Sequence, residues 1–191
     1  MKLLTAVAVL AMVGVASANI LVPNGNFELG NTGWVEASGG ATYSYPASGG
    51  NPNGYGQMDG GSWALLIPNG DSPMDVTTLG VVAGTSIEVA VDMNMTAGST
   101  AGLKVESYNS VGGQLNYIEL TTTDVKTAGA FDSYTFSYSV PAGTAGMKIM
   151  PLTLFGSSAG FDNVGVVPEP ATLGLLGITA AAMAFIRRRL I

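Results

Sequence analysis

The feature that most limits the fold is a hydrophobic period of two. In Ser86–Met95 the apolar positions Ile87, Val89, Val91, Met93 and Met95 alternate with Ser86, Glu88, Ala90, Asp92 and Asn94. Tyr134, Phe136, Tyr138 and Val140 alternate with Thr135, Ser137 and Ser139, and Leu103 and Val105 repeat the pattern. Alternation over four or more residues marks a strand with one buried and one wet face. Trp63 to Ile67, Gln114 to Leu120, Met147 to Leu154 and Phe161 to Val166 are further strand candidates. Gly- and Pro-containing turns separate them, at Ala97-Gly98-Ser99, Val111-Gly112-Gly113 and Pro141-Ala142-Gly143. No stretch between these turns carries a helical period. Eight to ten short strands with polar loops predict an all-β fold, an antiparallel β-sandwich of the jelly-roll kind. Residues 39–61, rich in Gly, Ser, Asn and Tyr, read as long loops with one short strand near Thr42 to Tyr45.

Charge is scarce and unevenly placed. Only 10% of the 191 residues are charged, against the usual ~25%. Four of the seven basic residues, Lys2, Arg187, Arg188 and Arg189, lie in the terminal segments. Between Asn19 and Val167 there are twelve acids and three lysines, Lys104, Lys126 and Lys148. Nucleic-acid binding needs phosphate-neutralising cations, so no nucleic-acid partner is expected. The chain has no Cys and no His. Disulfides, zinc–thiolate sites, thiol catalysis and a Ser-His-Asp triad are therefore excluded. Asp59, Asp71 and Asp75 are scattered acids, and no spacing singles out a catalytic pair. The chain is not expected to be an enzyme.

Both ends read as targeting segments, leaving a single domain over residues 19–167. Residues 1–18 form a signal peptide: Lys2 as a short basic region, Leu3 to Val15 as the apolar stretch, and Ala16-Ser17-Ala18 as the cleavage site, with Asn19 the first mature residue. At the other end, Ala171 to Ile186 carries no charge. As a helix it spans ~24 Å, short of a ~30 Å hydrocarbon core unless flanking arginines snorkel or the bilayer thins. The positive-inside rule puts Arg187, Arg188 and Arg189 in the cytoplasm. The signal peptide sends the domain to the opposite side, so the two ends agree on one topology. Pro168 and Pro170 stop any strand or helix from running into this tail.

Pro168, Glu169 and Pro170, the apolar segment 171–186 and the arginine cluster 187–189 occur in this order, and residues 168–191 resemble a PEP-CTERM sorting signal. The resemblance implies an exosortase partner and cleavage near the Pro-Glu-Pro triplet. It implies transient anchoring in the inner membrane with the domain in the periplasm. Delivery to the cell surface or an exopolysaccharide matrix would follow.

Two phrases, "LVPNGNFELGNTGW" and "GFDNVGVV", resemble the two ends of galactose-binding-like jelly rolls found among carbohydrate-binding modules. The resemblance implies that the first and last strands are neighbours, with Phe27 and Phe161 in the core. It also implies a structural calcium where the phrases meet, with Glu28 and Asp162 as carboxylates and Asn26 or nearby carbonyls adding oxygens. The alternative is that Glu28 and Asp162 only satisfy turn amides. Carbohydrate recognition uses aromatic faces with amide and carboxylate partners, and Tyr43, Tyr45 and Tyr55 are the candidates. Trp34 is expected in the core, and Trp63 fits there too. Two functions stay open: a surface module that holds exopolysaccharide, or a structural adhesion protein without a sugar site. Tyrosine rings facing solvent would favour the first, and rings turned inward the second.

Overall fold

A computed structural model describes residues 19–167. The signal peptide, the Pro-Glu-Pro triplet, segment 171–186 and the arginine cluster lie outside the described residues. Among the described residues no helix is long and apolar enough to cross a membrane.

Twelve strands are described, all paired antiparallel. They are β1 Ile20–Leu21, β2 Val35–Ser38, β3 Thr42–Ser44, β4 Gly56–Asp59, β5 Trp63–Ile67, β6 Met74–Asp75, β7 Ser86–Met95, β8 Thr100–Tyr108, β9 Gln114–Thr122, β10 Asp132–Ser139, β11 Gly146–Leu154 and β12 Ser158–Val167. The first sheet has the order β10-β7-β12-β4-β3, with β1 also on β12. The second has the order β2-β5-β11-β8-β9, with β6 also on β11. The two sheets form a β-sandwich.

The alternation sets which side chains enter the sandwich. Ile87, Val89, Val91, Met93 and Met95 of β7 are all buried in one core with Leu103 and Val105 of β8, Ile149 of β11, and Phe161, Val164 and Val166 of β12. Eight of the strands follow the sequence pattern. The other four, β1, β2, β4 and β6, have four residues or fewer, too short for a period to show; β3, with three, is as short and is marked only by its place in the Tyr-containing stretch. β11 is buried along almost its whole length, because its second face is covered as well. Its Pro151 falls between the stretches paired with β6 (Gly146, Met147) and β5 (Leu152 to Leu154). A missing N–H there removes no ladder bond on that side.

The opening and closing phrases are neighbours. Ile20 pairs with Val166 and Leu21 with Gly165. The Val22 N–H donates to the Val164 carbonyl at 3.0 Å, and the Val164 N–H donates to Gly25 at 2.9 Å. Phe27 and Phe161 are both fully buried. Between β1 and β2 the chain is a knot of tight turns centred on Asn24. Its side-chain amide donates to the carbonyls of Gly30 (2.9 Å) and Thr32 (3.0 Å), and its side-chain oxygen accepts from the Leu29 N–H at 3.1 Å. The Trp34 indole donates to the Asn24 carbonyl at 2.9 Å, and the Trp34 ring stacks on Phe27 at 4.7 Å. Asn24 and Phe27 both have positive φ, which lets a short chain reverse direction repeatedly.

Candidate functional site

The outward face of the second sheet departs most from a simple wet surface. Its centre is a second apolar cluster, Leu65 of β5 with Met150 and Leu152 of β11, flanked by Ala37, Ile67 and Leu154. Trp63 stands at one end, beside Leu154 in the ladder, and is 39% exposed. At the other end Lys148 of β11, Glu106 of β8 and Tyr117 of β9 form one row across three strands. Tyr117 is 60% exposed. Lys148 and Leu154 mark the two ends on β11 and lie six rises apart, which is ~20 Å at ~3.3 Å per residue.

Two of the three lysines of the domain lie on this face. Lys104 pairs with Glu106 at 2.8 Å, and its ammonium sits 5.2 Å from the Tyr117 ring centre. Lys148 donates to the Asp71 carboxylate, which a turn at Asn69–Asp71 brings over β11, and lies 5.3 Å from the Tyr108 ring. The Tyr108 hydroxyl donates to Glu106. Burial opposes ionisation of Glu106, but the hydrogen bonds from Lys104 and Tyr108 and the two ammonium charges outweigh it and hold its carboxyl below the usual range. Burial and the neighbouring Glu106 raise the Tyr108 phenol, which stays neutral. Leu65, Met150 and Leu152 are themselves buried, so what this face offers outward is the exposed Trp63 and Tyr117 rings with fixed charged donors and acceptors beside them, and such groups can meet sugar CH faces and hydroxyls.

The tyrosines singled out in the sequence lie elsewhere. Tyr43 and Tyr45 pack against the main core. The Tyr43 hydroxyl donates to the Ala37 carbonyl at 2.6 Å, and the Tyr45 hydroxyl donates to Glu36 at 2.9 Å. Tyr55 immediately precedes β4 of the first sheet and meets Phe131 edge-on at 5.1 Å. Their two rings close over Gly160, where a Cβ would stand 3.0 Å from each. The three tyrosines thus make no solvent-facing row, so they favour the structural alternative, and a sugar site has to rest on the other sheet. Trp34 is buried as expected, whereas Trp63 faces outward. The strand alternation carried that signal: Ala64 and Leu66 point into the core, so Trp63 points away from it.

The closing phrase builds a different cluster on the first sheet. Asp162 of β12 faces Asp92 of β7 in the ladder, and both are buried. A bulge after Asp162 gives Asn163 a positive φ and turns its side chain onto Asp92 at 2.8 Å. Asn51 donates its backbone N–H to Asp162 (2.6 Å) and its side-chain amide to Asp92 (3.0 Å). Ser133 also donates to Asp92. Burial pushes the Asp162 carboxyl up to about 6, with the Asp92 and Glu28 charges adding to it and the Asn51 and Asn163 amides opposing it. Glu28 is exposed and Asn26 half-buried. The Asn53 and Gly54 carbonyls and Asp162 Oδ2 all crowd the same side of Gly50, which no side chain could occupy. Asp92, absent from the sequence expectation, is the acid that faces Asp162. Among the described residues no three acidic side chains are grouped as metal ligands are.

Residues 166–189 match the PEP-CTERM protein-sorting motif. No curated protein matches the chain. Several solved structures share its fold. One is the CBM22-1–GH10 portion of Clostridium thermocellum endo-1,4-beta-D-xylanase 10B, complexed with xylohexaose, with TM-score 0.59 and 15% identity over 80% of this chain. Another is the CBM22-1 xylan-binding domain of Paenibacillus barcinonensis Xyn10C, with TM-score 0.53 and 18% identity, covering 81% of this chain and 97% of that one. A third is the enzymatically active domain of tailspike protein 4 of bacteriophage CBA120, with TM-score 0.57 and 13% identity over 78% of this chain. The chain spans only 21% of the tailspike chain and 29% of the xylanase chain.

Residues 19–167 therefore have the jelly-roll fold seen in carbohydrate-binding modules. The chain as a whole carries a PEP-CTERM sorting motif, which marks it for export and membrane-associated sorting.

Proposed function

We propose that the protein is an exosortase-sorted surface protein whose jelly roll holds a polysaccharide on the outward face of the second sheet. The observation that carries this reading is the exposure of Trp63 and Tyr117 at opposite ends of this face, with Lys104, Glu106, Tyr108 and Lys148 held between and beside them over a buried apolar cluster. A face of ~20 Å suits several sugar units of a chain rather than one monosaccharide. The ligand is exopolysaccharide, because the sorting signal delivers the domain to the cell surface or its matrix. Exosortase cuts near Pro168, Glu169 and Pro170, after segment 171–186 has anchored the chain in the inner membrane with the domain in the periplasm. The role is binding, not catalysis.

Calcium binds where Glu28 and Asp162 approach each other. The oxygens of Asp162, Asn53 and Gly54 that crowd Gly50, together with Glu28, fit the preference of calcium for carboxylates and carbonyls. A cation there would relieve the mutual repulsion of Asp92, Asp162 and Glu28. Its role is structural, tying the 46–55 loop to the last strand.

The test is affinity electrophoresis through gels containing different soluble polysaccharides. Wild-type protein should be retarded by at least one of them. Trp63→Ala and Tyr117→Ala should each lose the retardation, while Tyr55→Ala keeps it. Equal retardation of all four proteins would refute this site.

A further inference from the structure

The sandwich has four principal sheet edges, and three of them are blunted. β2 has four residues and β3 three. The β10 edge is strapped by segment 124–126: the Lys126 ammonium donates to the Ser133 carbonyl, and the Tyr134 hydroxyl donates to the Asp124 carbonyl at 2.8 Å. β9 is the exception. It runs for nine residues, Gln114–Thr122, and among the described residues it pairs only with β8. It has no proline, no lysine and a single charge, Glu119. Ile118, on its inward face, is 39% exposed at the open side of the sandwich. Its register with β8 shifts between Ser107 and Tyr108, which leaves Leu115 unpaired near the start of the strand, but from Asn116 to Thr122 the edge is regular and carries neither proline nor lysine, and such an edge invites another strand.

We infer that β9 pairs antiparallel with β9 of a second copy of this chain, across a two-fold axis at Ile118. This register sets Ile118 against Ile118, Tyr117 against Glu119 and Asn116 against Leu120, and ends before Leu115, where the register of β9 with β8 shifts. The pairing is self-complementary, as an isologous two-fold contact requires. It keeps the two Glu119 carboxylates from facing each other and gives each a phenol opposite. It joins Ile118 and Leu120 of one copy to Ile118 and Asn116 of the next, so the half-buried Leu120 that packs on the core is covered from outside. A shift by one residue would place Glu119 against Ile118 and turn the inward side chains against outward ones. The second sheets of the two copies would then run on as one, with their outward faces on the same side. The pairing uses backbone groups and Ile118, and does not depend on whether that face binds sugar.

The chain has no cysteine, so site-directed disulfides report the register without background. The full chain is expressed with its targeting segments, the cell envelope is oxidised, and the product is run on a non-reducing gel. Residues directly opposite in an antiparallel pair have Cα atoms ~4.5–5.5 Å apart, within disulfide range. Ile118→Cys is expected to give a band of twice the chain mass. The double variant Asn116→Cys with Leu120→Cys should give the same band, while Asn116→Cys alone should remain monomeric. If neither Ile118→Cys nor the double variant crosslinks, or if Asn116→Cys alone crosslinks as readily, the inference is overturned.

Discussion

Thr153 offers a prediction whose sign runs against most core substitutions. It sits on β11 opposite Ala64 of β5 and Ala101 of β8, is 0% exposed, and its hydroxyl has no hydrogen-bond partner. An unmet buried hydroxyl costs ~1–3 kcal/mol. Thr153→Val replaces the hydroxyl with a methyl of similar shape and keeps a β-branched residue in a strand. The variant should be more stable by about 1–3 kcal/mol. For a domain of this size each kcal/mol moves Tm by ~2–4 °C, so the midpoint should rise by several degrees. Thr153→Ser removes only the methyl and keeps the unmet hydroxyl, so it should be less stable than the parent. Thermal and urea unfolding of the three proteins gives the order Val, Thr, Ser. A loss of stability in Thr153→Val would mean that the hydroxyl is satisfied, by a buried water or a shifted carbonyl, and would refute the reasoning.

Three further expectations follow from other parts of the fold. Asn24→Ala removes three hydrogen bonds from the first turn knot; at ~1 kcal/mol each, reduced by partial hydration, the loss in urea unfolding should be about 2–3 kcal/mol. Asp162 titrates at about 6 in the folded chain, above the ~3.9 of an unfolded aspartate. The folded state therefore binds that proton more tightly. The contribution to stability is full below about pH 4 and is lost as pH rises through 6. Chelator-treated protein should thus gain stability relative to Asp162→Asn as pH falls from 7 to 4, and added calcium should reverse that trend by favouring the ionised form; an identical pH profile with and without calcium would count against the metal site. Gly160→Val should displace the Tyr55 and Phe131 rings that stand 3.0 Å from its Cβ position, costing about 1–3 kcal/mol without altering polysaccharide binding on the opposite sheet.

The strands that were legible in the sequence are those long enough to show a period. β7 and β10 are bounded by turns and carry clean alternation, because each buries one face against the core. β2, β4 and β6 have two to four residues and are set by the ladder partners they find, which no local pattern encodes. The neighbourhood of the two end phrases was also legible, since Phe27 and Phe161 sit in motifs with fixed local geometry. The opposition of Asp92 and Asp162 was not, because it depends on the register between strands seventy residues apart. The tyrosines illustrate the same limit. Composition places Tyr43, Tyr45 and Tyr55 in a Gly- and Asn-rich region, but only the folded chain shows Tyr43 and Tyr45 packed against the core, with their hydroxyls on the Ala37 carbonyl and the exposed Glu36. Trp63 departs from its expected core position for a different reason: its apolar neighbours Leu65 and Ile67 share its outward face, where a second cluster replaces the expected wet surface.

Intrinsic tryptophan emission during a polysaccharide titration tests the binding face most directly. Trp34 is buried beneath the first turn knot, and Trp63 is the exposed indole. Ligand binding should shift and enhance the emission through Trp63 alone, and Trp63→Phe should abolish the change while leaving the Trp34 signal intact. A retained polysaccharide that left the wild-type emission unaltered, or a spectral change that survived in Trp63→Phe, would contradict the account.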